Sequence, residues 1–352
     1  MKRIRVMVVD DSLVFRTFLT VALGKDPSIE LIGGFGDPVE AMNHIDSLRP
    51  DVITVDMEMP KMRGNEFLRA VLPKYPNVKA VVISSLGSNV FDAMYAGAID
   101  FVGKPGSQPG YEKEHFVADI LEKIKIAAAA QAVMPKTPFP SKPAAPAYAS
   151  TPLARFSMAG ASPKSVIAIG ASTGGTEAIL EVIKRFPVNV PGVVVVQHMP
   201  PEFTKMYAER ANGLCAATVR EAQNGDRVEQ GVILIAPGGD RQMYLREDTR
   251  GYYVYLAHGE KVSGHCPSVD VLFDSVSRTA GKNAVGIILT GMGGDGANGL
   301  TAMRRGGAHT IGQDEKSCVV YGMPKVAYDM GGVAEQLPLS SIGEAVLRRF
   351  AR

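Results

Sequence analysis

The chain has 352 residues, about the length of two average domains. Hydrophobic residues make up 46% and charged residues 21%, as in ordinary globular proteins, and a net charge of +2 does not indicate nucleic acid as a partner. The three widely spaced cysteines, Cys215, Cys266 and Cys318, form no C-x-x-C pair, which argues against a disulfide framework or a zinc site. Asp10 and Asp11 end the first apolar run too early for a signal peptide, and no uncharged apolar stretch reaches the roughly 18 residues of a membrane span. We therefore expect a cytoplasmic protein without direct membrane insertion.

The first 126 residues alternate short apolar runs with amphipathic stretches. The predicted strands are Ile4–Val9, Ile29–Phe35, Val52–Val55, Ala80–Ser84 and Ile99–Val102. The predicted helices lie near residues 13–24, 37–47, 64–73, 88–97 and 113–130. Five β-then-α units predict an α/β fold with a parallel, doubly wound sheet, in which ligands bind at the carboxyl ends of the strands.

A proline-rich stretch divides the chain. Residues 134–163 contain seven prolines mixed with Ala, Ser and Thr. Repeated prolines neither continue a helix nor pair in a central strand, so this composition predicts a linker. The expected organisation is a domain over residues 1–126, a Pro/Ala-rich linker over 127–163 and a second domain over 164–352.

The second half repeats the alternation of strands and helices. Its predicted strands are Val166–Ile169, Gly192–Val196, Val232–Ile235, Tyr252–Leu256, Ala284–Leu289 and His309–Ile311. Residues 240–262 are rich in Tyr and turn residues, which predicts a β-hairpin inserted into a second, Rossmann-like parallel-sheet domain.

Charged residues follow several predicted strands of the first half. Asp10 and Asp11 follow the first strand and Asp56 follows the third, while Ser84 closes the fourth and Lys104 follows the fifth. Because these positions share one edge of the sheet, we expect them in one pocket. Three carboxylates repel one another, and a hard cation such as Mg²⁺ relieves that repulsion, while a lysine contacts phosphoryl oxygens. Taken singly, each acid could instead be a helix cap or a solvated charge.

Four short stretches surround these positions: Val-Val-Asp-Asp-Ser (8–12), Asp-Met-Glu-Met-Pro (56–60), Ser-Ser (84–85) and Gly-Lys-Pro (103–105). Together they resemble the receiver domain of bacterial response regulators. The resemblance implies a flavodoxin-like sheet with strand order 2-1-3-4-5 and makes Asp56 the phospho-acceptor. It further implies a Mg²⁺ site formed by Asp10, Asp11, Asp56 and the backbone of Met57, and a phosphorylation switch formed by Ser84, Phe101 and Lys104.

A glycine-rich turn, Gly170-Ala-Ser-Thr-Gly174, follows the first predicted strand of the second half. Such a turn lifts the Ser172 hydroxyl clear of the sheet beside backbone N–H groups, where an α/β enzyme places a nucleophile. His198 and Asp295 also directly follow apolar strands, so we expect both near Ser172. A structural histidine and a turn aspartate are the alternatives for each alone. The order Ser, His, Asp differs from that of α/β-hydrolases, so a triad here would be an independent version.

Two other patterns compete for these residues. Gly291 to Gly296 fits G-x-G-x-x-G, with Asp314 and Glu315 about 20 residues on, as in a dinucleotide site. Asp295 would then repel the pyrophosphate, which argues against that hypothesis. The neighbouring His265 and Cys266 could suggest a Cys-His dyad, but neighbours in sequence rarely face one substrate atom.

Longer stretches of the second half point to one family. They are Ile-Gly-Ala-Ser-Thr-Gly-Gly-Thr-Glu-Ala (169–178), Gln-His-Met-Pro-Pro (197–201), Ile-Ala-Pro-Gly-Gly (235–239), Pro-Ser-Val-Asp-Val-Leu-Phe (267–273), Ile-Leu-Thr-Gly-Met-Gly-Gly-Asp-Gly (288–296) and Ser-Cys-Val-Val-Tyr-Gly-Met-Pro (317–324). With the rest of residues 165–345 they resemble the catalytic domain of chemotaxis protein-glutamate methylesterases. The resemblance implies Ser172 as nucleophile, His198 as base, Asp295 as its orienter, and backbone N–H groups of Thr173 and Met292 in the oxyanion hole.

The two resemblances together imply a phosphorylation-activated serine esterase. It would remove γ-methyl esters from glutamates on cytoplasmic helices of chemoreceptors, and deamidate certain glutamines, without a cofactor for the esterase chemistry. A chemotaxis histidine kinase would be the phosphodonor, and the linker would let the receiver lie over the esterase pocket. The alternative is a response regulator whose output domain binds DNA or a dinucleotide.

Overall fold

The computed structural model describes residues 2–85, 90–105, 113–131, 162 and 164–350. The chain forms two compact units divided between residues 139 and 140. The proline-rich stretch predicted as a linker lies almost entirely outside the described residues, so the proposed boundaries at 126 and 164 stay predictions. Within the described ranges, no helix combines the length and apolar character needed to cross a membrane.

The first unit is the expected parallel sheet flanked by helices. Its strands are β1 (Ile4–Val9), β2 (Ile29–Phe35), β3 (Val52–Asp56), β4 (Lys79–Ser84) and β5 (Asp100–Gly103). Its helices are α1 (Leu13–Leu23), α2 (Pro38–Leu48), α3 (Gly64–Val71), α4 (Val90–Tyr95) and α5 (Lys113–Ala129). All strand pairs are parallel and the order is 2-1-3-4-5, which confirms the predicted topology.

The centre of this sheet is buried on both faces. Every residue of β3, β4 and β5 is buried, as expected where helices cover a parallel sheet on each side. At the carboxyl end of β1 the chain turns directly into α1, whose first turn is capped by the Ser12 hydroxyl accepting the Phe15 N–H at 3.3 Å. This short connection holds Asp10 and Asp11 at the sheet edge.

The second unit contains a larger sheet and a separate hairpin. Its strands are β6 (Val166–Ala171), β7 (Gly192–Gln197), β8 (Thr218–Glu221), β9 (Val232–Ile235), β10 (Arg241–Asp248), β11 (Gly251–His258), β12 (Ala284–Ile288), β13 (His309–Gln313) and β14 (Glu335–Leu337). Its helices are α6 (Gly175–Ile183), α7 (Pro201–Asn212), α8 (Val269–Ala280), α9 (Ala297–Arg305), α10 (Met323–Asp329) and α11 (Leu339–Phe350). The seven-stranded sheet has the order β14-β13-β12-β6-β7-β9-β8, and β10 pairs with β11 as the predicted hairpin.

The middle of this larger sheet is where its site forms. Strand β6 lies between β12 and β7, so the connections leave it in opposite directions and open a crevice at the carboxyl ends. In register, Ala171 pairs with Gln197 and Gly170 pairs with Ile288. The residues that follow these three strands therefore meet at one edge of the sheet.

The hairpin is anchored to α8. The Ser275 hydroxyl accepts the Leu245 N–H at 2.9 Å, and the Thr279 hydroxyl donates to the Leu245 carbonyl at 3.1 Å. Met243, Leu245 and Val254 are fully buried in the same apolar core as α8. The hairpin thereby fixes the helix whose N-terminus lies at the crevice.

Candidate active site

The first unit gathers its acidic side chains as the sequence predicted. Carboxylate oxygens of Asp10, Asp11 and Asp56 lie within 4.8 Å of one another, with Asp10 and Asp56 buried and Asp11 exposed. Lys104 Nζ lies 2.6 Å from Asp56 Oδ2 and 3.3 Å from Asp10 Oδ2. The structure thus joins three carboxylates and a lysine in one pocket at the carboxyl ends of β1, β3 and β5.

The electrostatics of this pocket favour an added cation. Burial raises the pKa of Asp10 to about 6, with Asp56 adding to the shift and Lys104 opposing it. Burial alone would lower the pKa of Lys104, but its contacts with Asp56 and Asp10 raise it. Asp10 Oδ2 is buried, and within the described ranges it has the ion pair with Lys104 at 3.3 Å but no well-aligned hydrogen bond. Oxygen donors with excess negative charge fit Mg²⁺.

Met57 lies at the turn after β3. Its N–H donates to the Ile83 carbonyl, and its own carbonyl accepts the Gly64 N–H, each at 3.1 Å. A carbonyl oxygen has two lone pairs, so one remains for the predicted metal contact. A Cβ on Gly64 would lie 2.4 Å from the Asp56 carbonyl oxygen, so only glycine lets α3 begin this close to the acidic pocket.

Ser84 and Phe101 lie on neighbouring strands beside Asp56. Asp56 pairs with Ile83, and Ser84 pairs with Gly103. Ser84 is buried and its hydroxyl donates to the Ser85 carbonyl at 3.0 Å. Phe101 is buried and meets Phe91 edge-on, with ring centroids 6.1 Å apart. Their predicted part in a phosphorylation switch stays a prediction.

In the second unit, Ser172 directly follows β6. Its N–H donates to the Thr290 carbonyl at 3.0 Å, and its carbonyl accepts the Gly175 N–H at 2.7 Å. Gly174 has φ +75°, a left-handed conformation that glycine adopts without strain, and α6 begins at the next residue. Only 6% of Ser172 is exposed, so the turn holds it in the crevice.

His198 and Asp295 form the expected pair. His198 Nε2 lies 2.8 Å from Asp295 Oδ2, and both side chains are buried. Asp295 also accepts the Ser268 hydroxyl at 2.7 Å and the N–H groups of Val269 and Asp270 at 2.8 and 3.0 Å, at the start of α8. Burial alone would raise the pKa of Asp295, but the hydrogen bonds and the contact with His198 lower it. An ionised carboxylate so held can fix the imidazole tautomer.

Ser172 and His198 are neighbours that do not yet share a hydrogen bond. The His198 N–H donates to the Ala171 carbonyl at 3.2 Å, which places the two residues side by side at adjacent strand ends. His198 Nδ1 is buried without a hydrogen-bond partner among the residues described. With Nε2 on Asp295, Nδ1 is the nitrogen left to act in the predicted role of base. Such catalytic hydrogen bonds often form only with substrate bound.

The loop after β12 comes close to Ser172 at Gly291. A Cβ on Gly291 would lie 2.7 Å from the Ser172 Cβ and 2.3 Å from the Met323 sulfur, so glycine is needed there. The next residue, Met292, is 50% exposed, and its N–H makes no hydrogen bond to the described part of the chain. Thr173 is buried beside Ser172. Both predicted oxyanion-hole residues therefore flank the serine.

Sequence patterns did not single out the residues that brace this loop. Thr290 is fully buried; its hydroxyl donates to the Thr173 carbonyl and accepts the Val320 N–H, each at 3.0 Å. Its N–H donates to Gln313 Oε1 at 2.8 Å, and Gln313 Nε2 donates to the Ser317 carbonyl at 2.7 Å. These contacts join segments far apart in the chain, so no local spacing identifies them.

The Thr290 hydroxyl is expected to stabilise the folded protein. Thr290→Val keeps the shape but removes the hydroxyl's hydrogen bonds with the Thr173 carbonyl and the Val320 N–H, at a cost of about 1–3 kcal/mol in the free energy of unfolding. Thr290→Ser keeps the hydroxyl and is the matched control. Urea unfolding should show the valine variant to be the less stable of the two; equal stability would mean that these hydrogen bonds contribute nothing.

The residues of the two competing patterns have structural roles that differ from those the patterns suggest. The Asp295 carboxylate forms hydrogen bonds with His198 and with the start of α8. It therefore occupies the Gly291–Gly296 loop with negative charge, and the loop does not form a phosphate-binding site. Asp314 caps the following 3₁₀ turn by accepting the Ser317 N–H at 3.0 Å. Cys266 Sγ lies 3.8 Å from the Gly259 carbonyl, whereas the His265 ring stacks on His198, so these two neighbours have different surroundings.

Comparison with known proteins gives a match for each of the two units. Residues 167–346 match the model of the CheB methylesterase family, and residues 6–112 match that of the response regulator receiver domain. A protein-glutamate methylesterase/protein-glutamine glutaminase from Syntrophomonas wolfei is 51% identical over 99% of this chain and 98% of that protein. A protein of the same description from Agrobacterium fabrum is 47% identical over 98% of this chain and 96% of that protein.

A solved structure agrees with these matches. The catalytic domain of the CheB methylesterase from Thermotoga maritima is 35% identical, with a TM-score of 0.51, and covers 53% of this chain and 98% of that domain. The similarity therefore includes the architecture of the second unit as well as its sequence.

Proposed function

The chain belongs to the CheB family of response-regulator methylesterases, and from that premise we propose that Ser172, His198 and Asp295 form its catalytic triad. Its activity is that of a protein-glutamate methylesterase and protein-glutamine glutaminase. The observation that carries the triad is the buried 2.8 Å contact between His198 and Asp295 at the strand end next to Ser172. A DNA-binding or dinucleotide-binding output domain is not supported, since residues 167–346 match a methylesterase model.

The first half of the reaction forms an acyl-enzyme. His198 takes the Ser172 proton as the serine oxygen attacks the ester carbonyl carbon of a glutamate γ-methyl ester. The N–H groups of Thr173 and Met292 stabilise the oxyanion, each such donor being worth about 3 kcal/mol in known enzymes. The carbonyl re-forms as the bond to methoxide breaks, and methoxide leaves as methanol with the proton from His198. Asp295 stays ionised and stabilises the imidazolium.

The second half restores the enzyme. Water gives a proton to His198 and attacks the acyl carbon. The bond to the serine oxygen then breaks, the serine oxygen takes that proton, and the glutamate side chain of the substrate is released as its carboxylate. Deamidation follows the same steps, with ammonia leaving in place of methanol. The chain's own groups suffice for both reactions, because every proton moves between His198 and the reacting atoms.

The first unit supplies control by phosphorylation. We infer that Asp56 accepts the phosphoryl group, with Asp10, Asp11 and the Met57 carbonyl completing a Mg²⁺ site. The cation would offset the charge of the transferring group. Lys104, already within 2.6 Å of Asp56, would contact the phosphoryl oxygens, and Ser84 and Phe101 would respond to them. The phosphodonor is a chemotaxis histidine kinase, and the substrates are methylated cytoplasmic helices of chemoreceptors.

Methanol release from methylated receptor tests activity and control in one assay. Acetyl phosphate with Mg²⁺ should stimulate the wild-type rate, by about 5- to 150-fold if the coupling is of ordinary size. Asp56→Ala should show the same unstimulated rate with and without the phosphodonor. Glu40→Gln, a change on the exposed side of α2, is the control and should be stimulated like the wild type. Stimulation of Asp56→Ala would place the phosphorylation site elsewhere.

A further inference from the structure

A second histidine lies against the proposed base. The rings of His198 and His265 are stacked face to face, with centroids 3.6 Å apart and planes 13° from parallel. We propose that His265 is a positioning residue, whose ring holds the His198 imidazole in the orientation that catalysis needs. The inference rests on the proposed role of His198 as the base of the triad.

The His198 ring needs such a support because few polar contacts fix it. Nε2 is held by Asp295 at 2.8 Å, while Nδ1 is buried with no hydrogen-bond partner in the described part of the chain. One hydrogen bond, at Nε2, restrains rotation of the ring about its Cβ–Cγ bond only weakly. That rotation would displace Nδ1, the nitrogen proposed to take the serine proton. A flat ring in van der Waals contact with one face of the imidazole blocks that rotation.

The backbone around His265 is itself well fixed. Its N–H donates to the Val262 carbonyl and its carbonyl accepts the Val262 N–H, both at 3.0 Å, which closes a tight turn. Three residues later the Ser268 hydroxyl and the Val269 N–H bind Asp295. One short segment at the start of α8 therefore holds both the carboxylate partner and one face of the imidazole. This arrangement fixes two members of the triad to the same element.

The expected effect is on the chemical step rather than on substrate binding. Misplacing a catalytic group by about 1 Å lowers a rate by about 100-fold. His265→Ala should therefore lower kcat for methanol release by about 10- to 100-fold and leave KM within about twofold. His265→Phe replaces the imidazole by a flat ring that stacks but cannot transfer a proton, and it should recover most of the wild-type kcat.

The test measures kcat and KM of the full chain for both variants, beside Ser172→Ala. Nitrogen NMR of the His198 ring is the second measurement: it should show one form in the wild type and His265→Phe, and exchange between forms in His265→Ala. Wild-type kcat in His265→Ala, or a kcat in His265→Phe as low as in His265→Ala, would overturn the inference. If Ser172→Ala stayed active, the proposed function would fail instead, so the two failures are distinguishable.

Discussion

Replacing Ser172 by alanine is expected to lower kcat for methanol release by about a million-fold, to the level left by binding and the oxyanion hole alone. Without the hydroxyl there is no atom to form the acyl-enzyme, and His198 has no proton to take. The Ser172 hydroxyl makes no hydrogen bond within the described structure, so the free energy of unfolding should change by less than about 0.5 kcal/mol. This variant should therefore lose its activity and keep its stability.

Ser165→Ala is the matched control for that experiment. The residue lies just before β6, at the opposite end of the strand from Ser172. It should retain the wild-type rate in the same methanol assay. A folded Ser172→Ala protein with more than a few percent of the wild-type rate would mean that another group attacks the ester.

Replacing Asp295 by asparagine is expected to lower kcat by about 10⁴-fold, as the loss of the orienting carboxylate does in other serine triads. The carboxylate accepts from His198, from the Ser268 hydroxyl and from two backbone N–H groups, and an amide NH₂ cannot accept in that position. His198 would then lose the partner that sets its tautomer. Methanol release measures the loss, and Asn298→Ala, at the more distant first turn of α9, should cost far less.

The same substitution should change how stability depends on pH. The pKa of Asp295 is lower in the folded protein than its ordinary value, so the folded state prefers the ionised form. This stabilisation is fully present above the ordinary pKa of an aspartate and is lost as the pH falls through the folded value. The stability difference between wild type and Asp295→Asn should therefore shrink in acid.

Asp270, in the first turn of α8, supplies the opposite case. Burial raises its pKa above the ordinary value, so the stability that it contributes falls as the pH rises through that range. Urea unfolding at several pH values should give slopes of opposite sign for Asp295→Asn and Asp270→Asn, each relative to wild type. Equal slopes would show that the local hydrogen bonds do not shift the pKa values of these two carboxylates in opposite directions.

Much of the fold follows from apolar runs in the sequence. Strands β1, β2 and β9 have the predicted bounds. The apolar runs Val6–Val9 of β1 and Val232–Ile235 of β9 lie inside their sheets, where helices cover both faces and an unbroken apolar run is expected. Strands β8 and β14 were not predicted. Both are short strands at the edges of the seven-stranded sheet, and their half-exposed sequences, Thr-Val-Arg-Glu and Glu-Gln-Leu, lack such a run.

Some residues of the candidate site could likewise be proposed from the sequence, and others could not. Ser172, His198 and Asp295 could be proposed from sequence because each follows an apolar strand directly, and parallel strands bring their carboxyl ends together. His265, Ser268 and Thr290 could not, because their contacts join segments that no periodicity relates. His265 is the clearest example: beside Cys266 it suggested a dyad, whereas the structure stacks it on His198. Such roles depend on tertiary contacts, which only the fold reveals.

Covalent labelling tests the central claim, that Ser172 is the nucleophile, most directly. A fluorophosphonate should react with one residue in parallel with the loss of methanol release. Cleavage after Lys164 and Lys184 gives the fragment 165–184, and the label should lie on Ser172 within it. Ser172→Ala should leave this fragment unlabelled. Full methanol release with Ser172 modified, or inactivation through a label elsewhere, would contradict the proposed mechanism.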